Sequence, residues 1–355
     1  MLSGEVEDRI DSFGRKPGPT IRVRRPHPRV VALGGGTGLP IVLRGLRGLL
    51  FPSGQRWVEA RHRGRLTGIV SVADDGGSSG RLRRAYGVLA SGDIRNCLVA
   101  LANGDPTLSE IFNFRFDGNG SLGGHSLGNL ILTALSRLEK DFARAVERAG
   151  KVLAVRGRVL PATLDDVSLL AEFADGSRVA GESRIAMVRR PIRRVVLQPS
   201  AARALPQARE AIERADLITI GPGSLYTSLI PVLLVRHLAA SIAKSRARVV
   251  LILNLMTEPG ETDGYTGTDV VTALRRHAPR VPIHAVLVNS APIADRLAAR
   301  YAGQSSGPIV ADPKAIRALG CRVLARDLLG PGPMVRHDPG KLARAVVELL
   351  SGRTE

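Results

Sequence analysis

The sequence has few aromatic side chains and very few lysines. Phe, Trp and Tyr make up 3% of its 355 residues, so it offers little surface on which nucleic-acid bases could stack. Only six of its 51 basic residues are lysine and the other 45 are arginine, and the net charge is +19. A genome-wide codon bias produces the same excess of arginine without selection for DNA binding. We therefore expect no nucleic-acid partner, and we expect an acidic, phosphate-bearing small molecule to complement the arginines.

Cysteine and long apolar runs are also scarce. Cys97 and Cys321 both lie in apolar patterns, which indicates two buried free thiols in a reducing compartment. No stretch reaches the roughly 18 apolar residues that a membrane span needs, since Asn254 interrupts the run 249–256. Residues 1–28 contain no apolar core of signal-peptide length, and their Gly, Pro and mixed charges are typical of a disordered or loosely held extension. We expect a soluble, cytoplasmic protein without membrane insertion.

A glycine-rich loop follows the first apolar strand pattern, 30–33, and leads into a helical pattern over 41–49. The loop residues are Gly34, Gly35, Gly36, Thr37 and Gly38. Glycine lets the backbone approach a phosphate closely, and a helix start offers free N–H groups. This is not a Walker loop, because no Lys-Ser or Lys-Thr follows it, and the third glycine of a dinucleotide fingerprint falls at Leu39. The pattern predicts either a phosphate-binding loop or an ordinary strand-to-helix turn.

Two adjacent aspartates end the second strand pattern, 67–73. The residues concerned are Asp74 and Asp75, followed by Gly76, Gly77, Ser78 and Ser79. A structural turn seldom needs two acids and so many small residues, so we interpret this loop as part of a site for a nucleotide or a phosphorylated sugar. The aspartates could bind Mg²⁺, contact ribose or sugar hydroxyls, or cap the following turn. No third protein ligand is evident, so we predict no metal site built from protein ligands.

Strand and helix patterns alternate over residues 29–350. Strands are expected near 30–33, 67–73, 216–220, 249–254, 284–289, 308–311 and 321–325; helices are expected over 41–49, from Asp93 as N-cap, over 105–114, after Ser126 as N-cap, and over 140–150 and 338–351. Residues 151–198 instead show short β-like runs with a hairpin signal at 174–177, which predicts a small β-rich insertion. The predicted fold class is α/β: a Rossmann-like, mostly parallel sheet with helices on both faces, plus this insertion.

Polar and glycine-rich residues follow several predicted strands and open several predicted helices. In open parallel sheets, ligands bind beyond the carboxyl ends of the strands, near a topological switch point. The further candidate ligand-binding residues at such positions are Asp93, Arg95, Asn96, His125, Ser126, Asn129, Gly221, Gly223, Ser224, Asn254 and Arg336.

Several of these candidates also have a purely structural interpretation. His125 either donates to a phosphate or packs in a capping loop, and Arg95 pairs either with a phosphate or with Asp93. Arg336 either reaches a diphosphate or stays solvated. Ser224 lies in Gly-Pro-Gly-Ser-Leu, which is not the G-x-S-x-G pattern of a nucleophile, and no matched base is identifiable. We therefore predict no catalytic residue.

Eight motifs occur in an order that resembles one family. They are Gly-Gly-Gly-Thr-Gly-Leu at 34–39, Val-Ala-Asp-Asp-Gly-Gly-Ser-Ser-Gly-Arg at 72–81, Gly-Asp-Ile-Arg-Asn at 92–96, Gly-His-Ser-Leu-Gly-Asn at 124–129, Val-Arg-Gly-Arg-Val-Leu-Pro at 155–161, Gly-Pro-Gly-Ser-Leu-Tyr-Thr-Ser at 221–228, Pro-Gly-Glu-Thr-Asp at 259–263 and Arg-His-Asp at 336–338. Together they resemble the YvcK proteins, also called gluconeogenesis factors, of the CofD-like family. The resemblance covers about 30–350. It implies a Rossmann-like core in a cytoplasmic protein that binds a UDP-sugar such as UDP-N-acetylglucosamine, and a role in cell shape and peptidoglycan-precursor control during gluconeogenic growth.

The CofD enzymes of that family transfer a phospholactyl group from a guanosine diphosphate donor to a deazaflavin, with Mg²⁺. This chain departs from them after its aspartates, where Gly-Gly-Ser-Ser-Gly follows, and the departure weakens the case for catalysis. We predict a nucleotide-sugar-binding regulator that forms a homo-oligomer, with no firm cofactor and with Mg²⁺ left open. A CofD-like transferase and a nicotinamide-dinucleotide protein are the alternatives.

Overall fold

The computed structural model of the protein describes residues 27–51 and 59–351. The strands in these ranges are β1 (Val30–Gly34), β2 (Leu66–Val70), β3 (Arg158–Pro161), β4 (Ser168–Phe173), β5 (Arg178–Ala180), β6 (Ile192–Gln198), β7 (Leu217–Ile220), β8 (Arg248–Ile252), β9 (Ala285–Asn289) and β10 (Arg322–Arg326). The helices are α1 (Gly38–Leu50), α2 (Ala60–Arg63), α3 (Gly77–Tyr86), α4 (Gly92–Leu101), α5 (Pro106–Asn113), α6 (Leu127–Glu139), α7 (Phe142–Val152), α8 (Glu182–Val188), α9 (Pro206–Glu213), α10 (Ile230–Leu234), α11 (Leu238–Lys244), α12 (Gly267–His277), α13 (Asp295–Ala302), α14 (Pro313–Ala318) and α15 (Pro339–Ser351), with a π-helical turn Leu225–Leu229 before α10.

Seven strands form one parallel sheet in the order β10-β9-β8-β7-β1-β2-β3. Every residue of β1, β2 and β7 is buried, so both faces of the sheet centre are covered by other elements. This is why these strands read as continuous apolar runs rather than alternating ones. The chain runs from β1 outward to β2 and β3 and later returns to place β7 on the other side of β1. The strand order therefore reverses between β1 and β7, and the predicted α/β fold is confirmed.

Helix α1 shows how the core is built on this sheet. Leu39, Leu43 and Leu46 recur at helical spacing and are completely buried, and each contributes roughly 1.5–3 kcal/mol of apolar burial. The helix packs against α15 and α4. A Cβ on Gly45 would overlap the Pro339 carbonyl oxygen, so glycine permits the close approach of α1 to the start of α15. The packed helix fixes the glycine loop at its own amino end.

The remaining strands form a small antiparallel sheet in the order β5-β4-β6. The hairpin turn falls at the predicted position, where Phe173 accepts from Gly176 N–H at 3.0 Å. The segment 151–198 is divided between the two sheets, because its first strand, β3, pairs with β2 in the main sheet. Helix α8 links β5 to β6, and its Ser183 N–H donates to Asp75 in the loop after β2. The small sheet is thereby connected to that loop.

One predicted strand is wrong and one predicted helix starts earlier. Residues 308–311 form only an isolated bridge between Met256 and Pro308. Proline has no N–H to donate, and Ile309 N–H donates to Leu255 O at 3.1 Å, so this segment pairs with the loop after β8 instead of entering the sheet. Helix α1 begins at Gly38, three residues before its apolar pattern, with Pro40 in its first turn.

The predicted extension 1–28 lies outside the described residues except for its last two, and the division into an extension and a domain over 29–350 stays a prediction. Within the described part of the chain, no helix combines the length and the apolar character needed to cross a membrane.

Candidate functional site

The loops after β1 and β7 touch each other at the switch point. A Cβ on Gly38 would overlap the Pro222 carbonyl oxygen, and one on Gly35 would lie 2.7 Å from Asp93 Oδ2 and 3.4 Å from Ser228 Cβ. Gly36 has a φ of +59°, a left-handed conformation that favours glycine. These glycines are therefore needed for packing between loops. Gly36 is half-buried and Thr37 is exposed, so the tip of the loop stays accessible.

Asp93 acts differently from the prediction. The N-cap of α4 is Ser91, and Asp93 lies in the first helical turn. Its Oδ2 accepts the Gly36 N–H at 2.6 Å, which joins α4 to the glycine loop. Burial raises the pKa of Asp93 to about 6; the hydrogen bond from Gly36 opposes that shift, and the nearby Asp74 adds to it. A side chain distant in sequence thus occupies the loop amide that was expected to bind phosphate.

The adjacent aspartates Asp74 and Asp75 contact different elements. Asp74 Oδ1 accepts the Gly76 N–H at 2.8 Å and caps the turn into α3. Asp75 Oδ1 accepts the Ser183 N–H at 2.9 Å, in the first turn of α8. A Cβ on Gly181 would overlap the Asp75 carboxylate, so the small sheet approaches this loop closely. In the part of the chain that the structure describes, no group of three His, Cys, Asp or Glu side chains is placed to hold a metal ion.

A buried polar cluster joins the amino ends of α3, α4 and α6. Ser78 Oγ lies 2.9 Å from His125 Nδ1 and accepts from Asn129 Nδ2 at 3.1 Å. Ser79 Oγ accepts the Gly92 N–H at 3.1 Å, and Ser126 caps α6 as predicted, accepting the Asn129 N–H at 3.3 Å. Burial lowers the pKa of His125, and the nearby Arg81 and Arg115 lower it further, which favours the neutral ring.

Two buried polar atoms of this cluster have no hydrogen-bond partner within the described ranges. They are Ser91 Oγ and Asn129 Oδ1, on residues that are each 2% exposed. Buried polar atoms without a partner cost free energy and call for an explanation, such as a bound molecule or water. We call the region between the loops after β1, β2, β7 and β8 the crevice. Both atoms lie at helix starts around it, Ser91 at α4 and Asn129 at α6.

The N-cap residues of α1, α3 and α4 make no side-chain hydrogen bond to their helix starts, although Ser79 Oγ accepts the Gly92 N–H at the first residue of α4 and Asp74 accepts the Gly76 N–H just before α3. The contacts described above bring these three helix starts together: Gly36 to Asp93 joins α1 to α4, and Gly92 to Ser79 joins α4 to α3. The first N–H groups of a helix have no intrahelical acceptor and carry its positive dipole end. The crevice therefore combines free donors with buried carboxylates.

The opposite side of the crevice is formed by the loops after β7 and β8. Asn254 binds the loop after β7 through two hydrogen bonds. Its Oδ1 accepts the Gly223 N–H at 2.9 Å, and its Nδ2 donates to Gly223 O at 3.1 Å. Its Nδ2 also donates to Glu258 Oε1 at 3.1 Å, and Ser224 hydrogen-bonds the same glutamate. Ser224 is thus engaged with an acid, and Gly221 lies at the turn with a φ of +81°.

Three glutamates of the crevice were not among the predicted site residues. Glu261 accepts the Thr227 hydroxyl at 2.8 Å and the Tyr226 N–H at 3.2 Å, and burial raises its pKa to about 7. Burial also raises the pKa of Glu258, whose Oε2 has no partner among the described residues. Burial, followed by the charges of Asp74, Asp93, Glu261 and Asp75, raises the pKa of Glu182 well above its usual value. The motif Pro-Gly-Glu-Thr-Asp at 259–263 was the available signal for Glu261; Glu182 had none.

Two predicted site residues hydrogen-bond each other and a third is exposed. Arg95 is buried and its Nη2 donates to Asn96 Oδ1 at 2.6 Å. Arg336 is exposed, and no hydrogen bond joins its side chain to the crevice residues described above. The neighbouring His337 is buried instead, and burial lowers its pKa to about 4.

Known proteins resemble this chain over most of its length. The family described as 2-phospho-L-lactate transferase CofD matches residues 30–329. A gluconeogenesis factor of Bacillus subtilis is 43% identical over 324 residues, covering 91% of this chain and 98% of the relative. A gluconeogenesis factor of Halalkalibacterium halodurans is 43% identical over 320 residues, covering 90% and 95%. A crystal structure of a Bacillus halodurans protein aligns with a TM-score of 0.85 at 42% identity, covering 90% of this chain and 99% of that one.

The profile match and the two relatives confirm the resemblance drawn from the motifs, and the aligned crystal structure confirms the fold. With these similarities extending over nine-tenths of its length, the chain belongs to the CofD family, in the group of the gluconeogenesis factors (YvcK type).

Proposed function

We propose that the crevice binds a nucleotide-sugar, with UDP-N-acetylglucosamine as the reference ligand, and that the protein acts as a regulator during growth on gluconeogenic carbon. The names of the relatives support a gluconeogenesis-related role. The finer parts of the proposal are control of cell shape and of peptidoglycan precursors, whose synthesis consumes UDP-sugars.

The convergence of three helix starts carries the proposal. The N-cap residues of α1, α3 and α4 make no side-chain hydrogen bond to their helix starts, and these starts meet at the switch point, where Gly36, Thr37 and Gly77 stay at least partly exposed. Such an arrangement suits a diphosphate, because several backbone N–H groups and several helix dipoles act on one anion. Phosphate oxygens would take the free amides beside Gly36, while Asp93 keeps the loop in place.

Buried acceptors suit the sugar end of such a ligand. Glu258 and Glu261 lie beside the loop after β7, and Glu258 Oε2 has no partner in the described part of the chain. Sugar and ribose hydroxyls donate readily to carboxylates. A ligand that carries both phosphates and hydroxyls satisfies the two kinds of groups in this crevice, which a simple phosphate does not.

Equilibrium binding tests this proposal. We expect UDP-N-acetylglucosamine to bind more tightly than GDP or NADP⁺ in titration calorimetry, each measured with and without Mg²⁺. Among residues 27–51 and 59–351 the protein ligands form no complete cage, so Mg²⁺ would accompany the diphosphate and we assign it no separate role. Tighter binding of NADP⁺ would favour the dinucleotide alternative, and absence of binding to all three nucleotides would refute the proposal.

A CofD-like transferase is the second candidate, and the family match over residues 30–329 favours it. Against it, the Asp75 carboxylate is engaged with the backbone of α8, where it accepts the Ser183 N–H. Incubation with UDP-N-acetylglucosamine and Mg²⁺, followed by mass spectrometry, separates the two candidates. We expect no product; multiple turnover that is lost in Asp75→Asn would establish the transferase.

The proposal includes a cytoplasmic location and a homo-oligomeric state. Cys97 and Cys321 are both free and buried, in keeping with a reducing compartment. Light scattering on the purified protein tests the oligomeric state, and a mass equal to the 37.8 kDa chain would refute it.

A further inference from the structure

A cavity lies at the amino ends of the strands of the main sheet, on the side opposite to the crevice. It has a volume of about 660 Å³ and is lined by residues of α7, α9 and the amino ends of β2 and β3. Arg29 directly precedes β1, Thr67 is the second residue of β2 and Arg158 is the first residue of β3, so this cavity faces away from the crevice at the carboxyl ends. Its volume is that of a site for a small organic ligand.

Arginines dominate the charge of this cavity. Arg29, Arg144 and Arg158 line it, and none of the three forms an ion pair within the described ranges. Converging cations of this kind repel one another unless an anion lies between them. A bound anion would remove that repulsion.

Three acidic residues also line the cavity, and each already has a partner. Asp141 caps α7 by accepting the Arg144 N–H at 3.0 Å. Glu147 pairs with Lys151 at 3.0 Å, and Glu210 pairs with Arg214 at 2.9 Å. Five arginines and three carboxylates line the cavity, so it keeps an excess of positive charge.

Thr67 supplies an independent observation. Its residue is 1% exposed, it lines the cavity, and its Oγ1 has no hydrogen-bond partner in the described part of the protein. Thr67 is paired in register with Arg158 across the β2–β3 ladder, so the two side chains project from the same face of the sheet. A buried hydroxyl without a partner beside an unpaired guanidinium indicates a place for an anionic oxygen atom.

We propose that this cavity binds a phosphate-bearing small organic molecule, as an effector site separate from the crevice. The phosphate lies between Arg144, Arg158 and Thr67 Oγ1, and the apolar part of the ligand packs on Leu98, Val146 and Val155. The lining residues include no aromatic ring, which disfavours single-stranded nucleic acid as the ligand. The inference does not depend on what the crevice binds.

The probe for this site is 1-naphthyl phosphate, which joins a phosphate to an apolar body. We expect saturable binding in titration calorimetry, competition by inorganic phosphate, and much weaker binding of neutral 1-naphthol. Arg144→Met and Arg158→Met keep the apolar part of the side chain and remove the charge, so each should raise the Kd roughly tenfold. Thr67→Val should raise it by a smaller factor.

Two control variants locate the binding. Arg148→Met lies on the same helix as Arg144, but Arg148 pairs with Glu139 and does not line the cavity, so its Kd should equal that of the wild type. Gly36→Val alters the crevice only and should leave the naphthyl phosphate Kd unchanged. Equal affinity in Arg144→Met, Arg158→Met and the wild type overturns the inference, and so does equal weakening by Arg148→Met or loss of binding in Gly36→Val. Circular dichroism of each variant verifies that it is folded, and Arg144 is exposed on its helix, so that variant tolerates the change.

Discussion

Replacing Asp93 by Asn should stabilise the unliganded protein at neutral pH. The pKa of this carboxyl is raised from 3.8 to about 6, chiefly because burial disfavours its charged form. The folded protein therefore binds the proton more tightly than the unfolded chain does. The stability that the carboxyl contributes is fully present below pH 4 and is lost as the pH rises through 6. Asparagine keeps an oxygen that can accept the Gly36 N–H and carries no charge.

The magnitude follows from the shift of about 2 pKa units, which corresponds to roughly 3 kcal/mol. The gain from Asp93→Asn should thus be roughly 3 kcal/mol above pH 7, roughly half of that at pH 5, and close to zero below pH 4. At about 2 °C per kcal/mol for a chain of this size, the melting temperature should rise by about 6 °C at pH 7.5.

Thermal unfolding of the wild type and the variant at half-unit steps between pH 4 and pH 8 measures this difference. Asp117→Asn is the matched control, because Asp117 is exposed and its replacement removes the same charge from the surface. Its melting temperature should follow that of the wild type at every pH. A stability gain from Asp93→Asn that does not change with pH would refute the reasoning, and so would a loss of stability at pH 7.5, which would mean that the Gly36 hydrogen bond outweighs the cost of burial.

Three further variants test the crevice and its surroundings. Gly36→Val places a branched side chain at a φ of +59°, with its Cβ 3.4 Å from Ser228 Oγ. Calorimetry should show UDP-N-acetylglucosamine affinity reduced at least about tenfold in a folded protein. Unchanged affinity would remove the loop from the site. Gly48→Ala, in the last turn of α1 with open space around the added Cβ, should raise stability by at most roughly 0.5–1 kcal/mol in urea unfolding without changing that affinity. Lower stability would show that the helix is strained there. Asp75→Asn removes the negative charge at the amino end of α8. Amide hydrogen exchange over 182–188 should become faster while the main sheet stays protected. Equal exchange in the variant and the wild type would show that Asp75 does not anchor this helix.

The elements that were predictable from the sequence are those governed by local patterns. The buried runs at β1 and β7 have no polar interruption, and a parallel strand covered on both faces requires that pattern. Ser126 caps α6 because the capping hydroxyl and the N–H that donates to it are only three residues apart, so the signal is contained in a short window. The resemblance to the CofD family likewise rested on short motifs and was confirmed by the profile match.

The contacts that the sequence did not reveal join distant parts of the chain. Asp93 reads as an N-cap in its own segment, and its contact with Gly36 spans 57 residues, which only the tertiary fold sets. Glu182 lies at the crevice because α8, which connects two strands of the small sheet, is placed there by the tertiary fold. The sequence around Glu182 is that of an ordinary helix start. The 308–311 run looked like a strand because it is apolar, and the pairing of Ile309 with a loop is not visible in periodicity.

The carboxyl edge of the sheet, where its strands end, carries acids, and the amino edge, where they begin, carries arginines. The topology of the sheet accounts for both. Because β1 and β2 are parallel, the helices α1 and α3 that follow them begin at the carboxyl edge and direct their positive dipole ends toward it. Carboxylates lie there, as Asp74 shows by accepting the Gly76 N–H just before α3. The amino edge lacks these helix starts from α1 and α3, and arginines such as Arg158 collect around its cavity instead. A ligand for the carboxyl edge must therefore bring hydroxyl donors for the acids as well as phosphate for the amides, whereas a ligand for the amino edge needs only the anion. A nucleotide-sugar meets the first requirement and a simple organic phosphate the second, so the two proposed sites should differ in what they select.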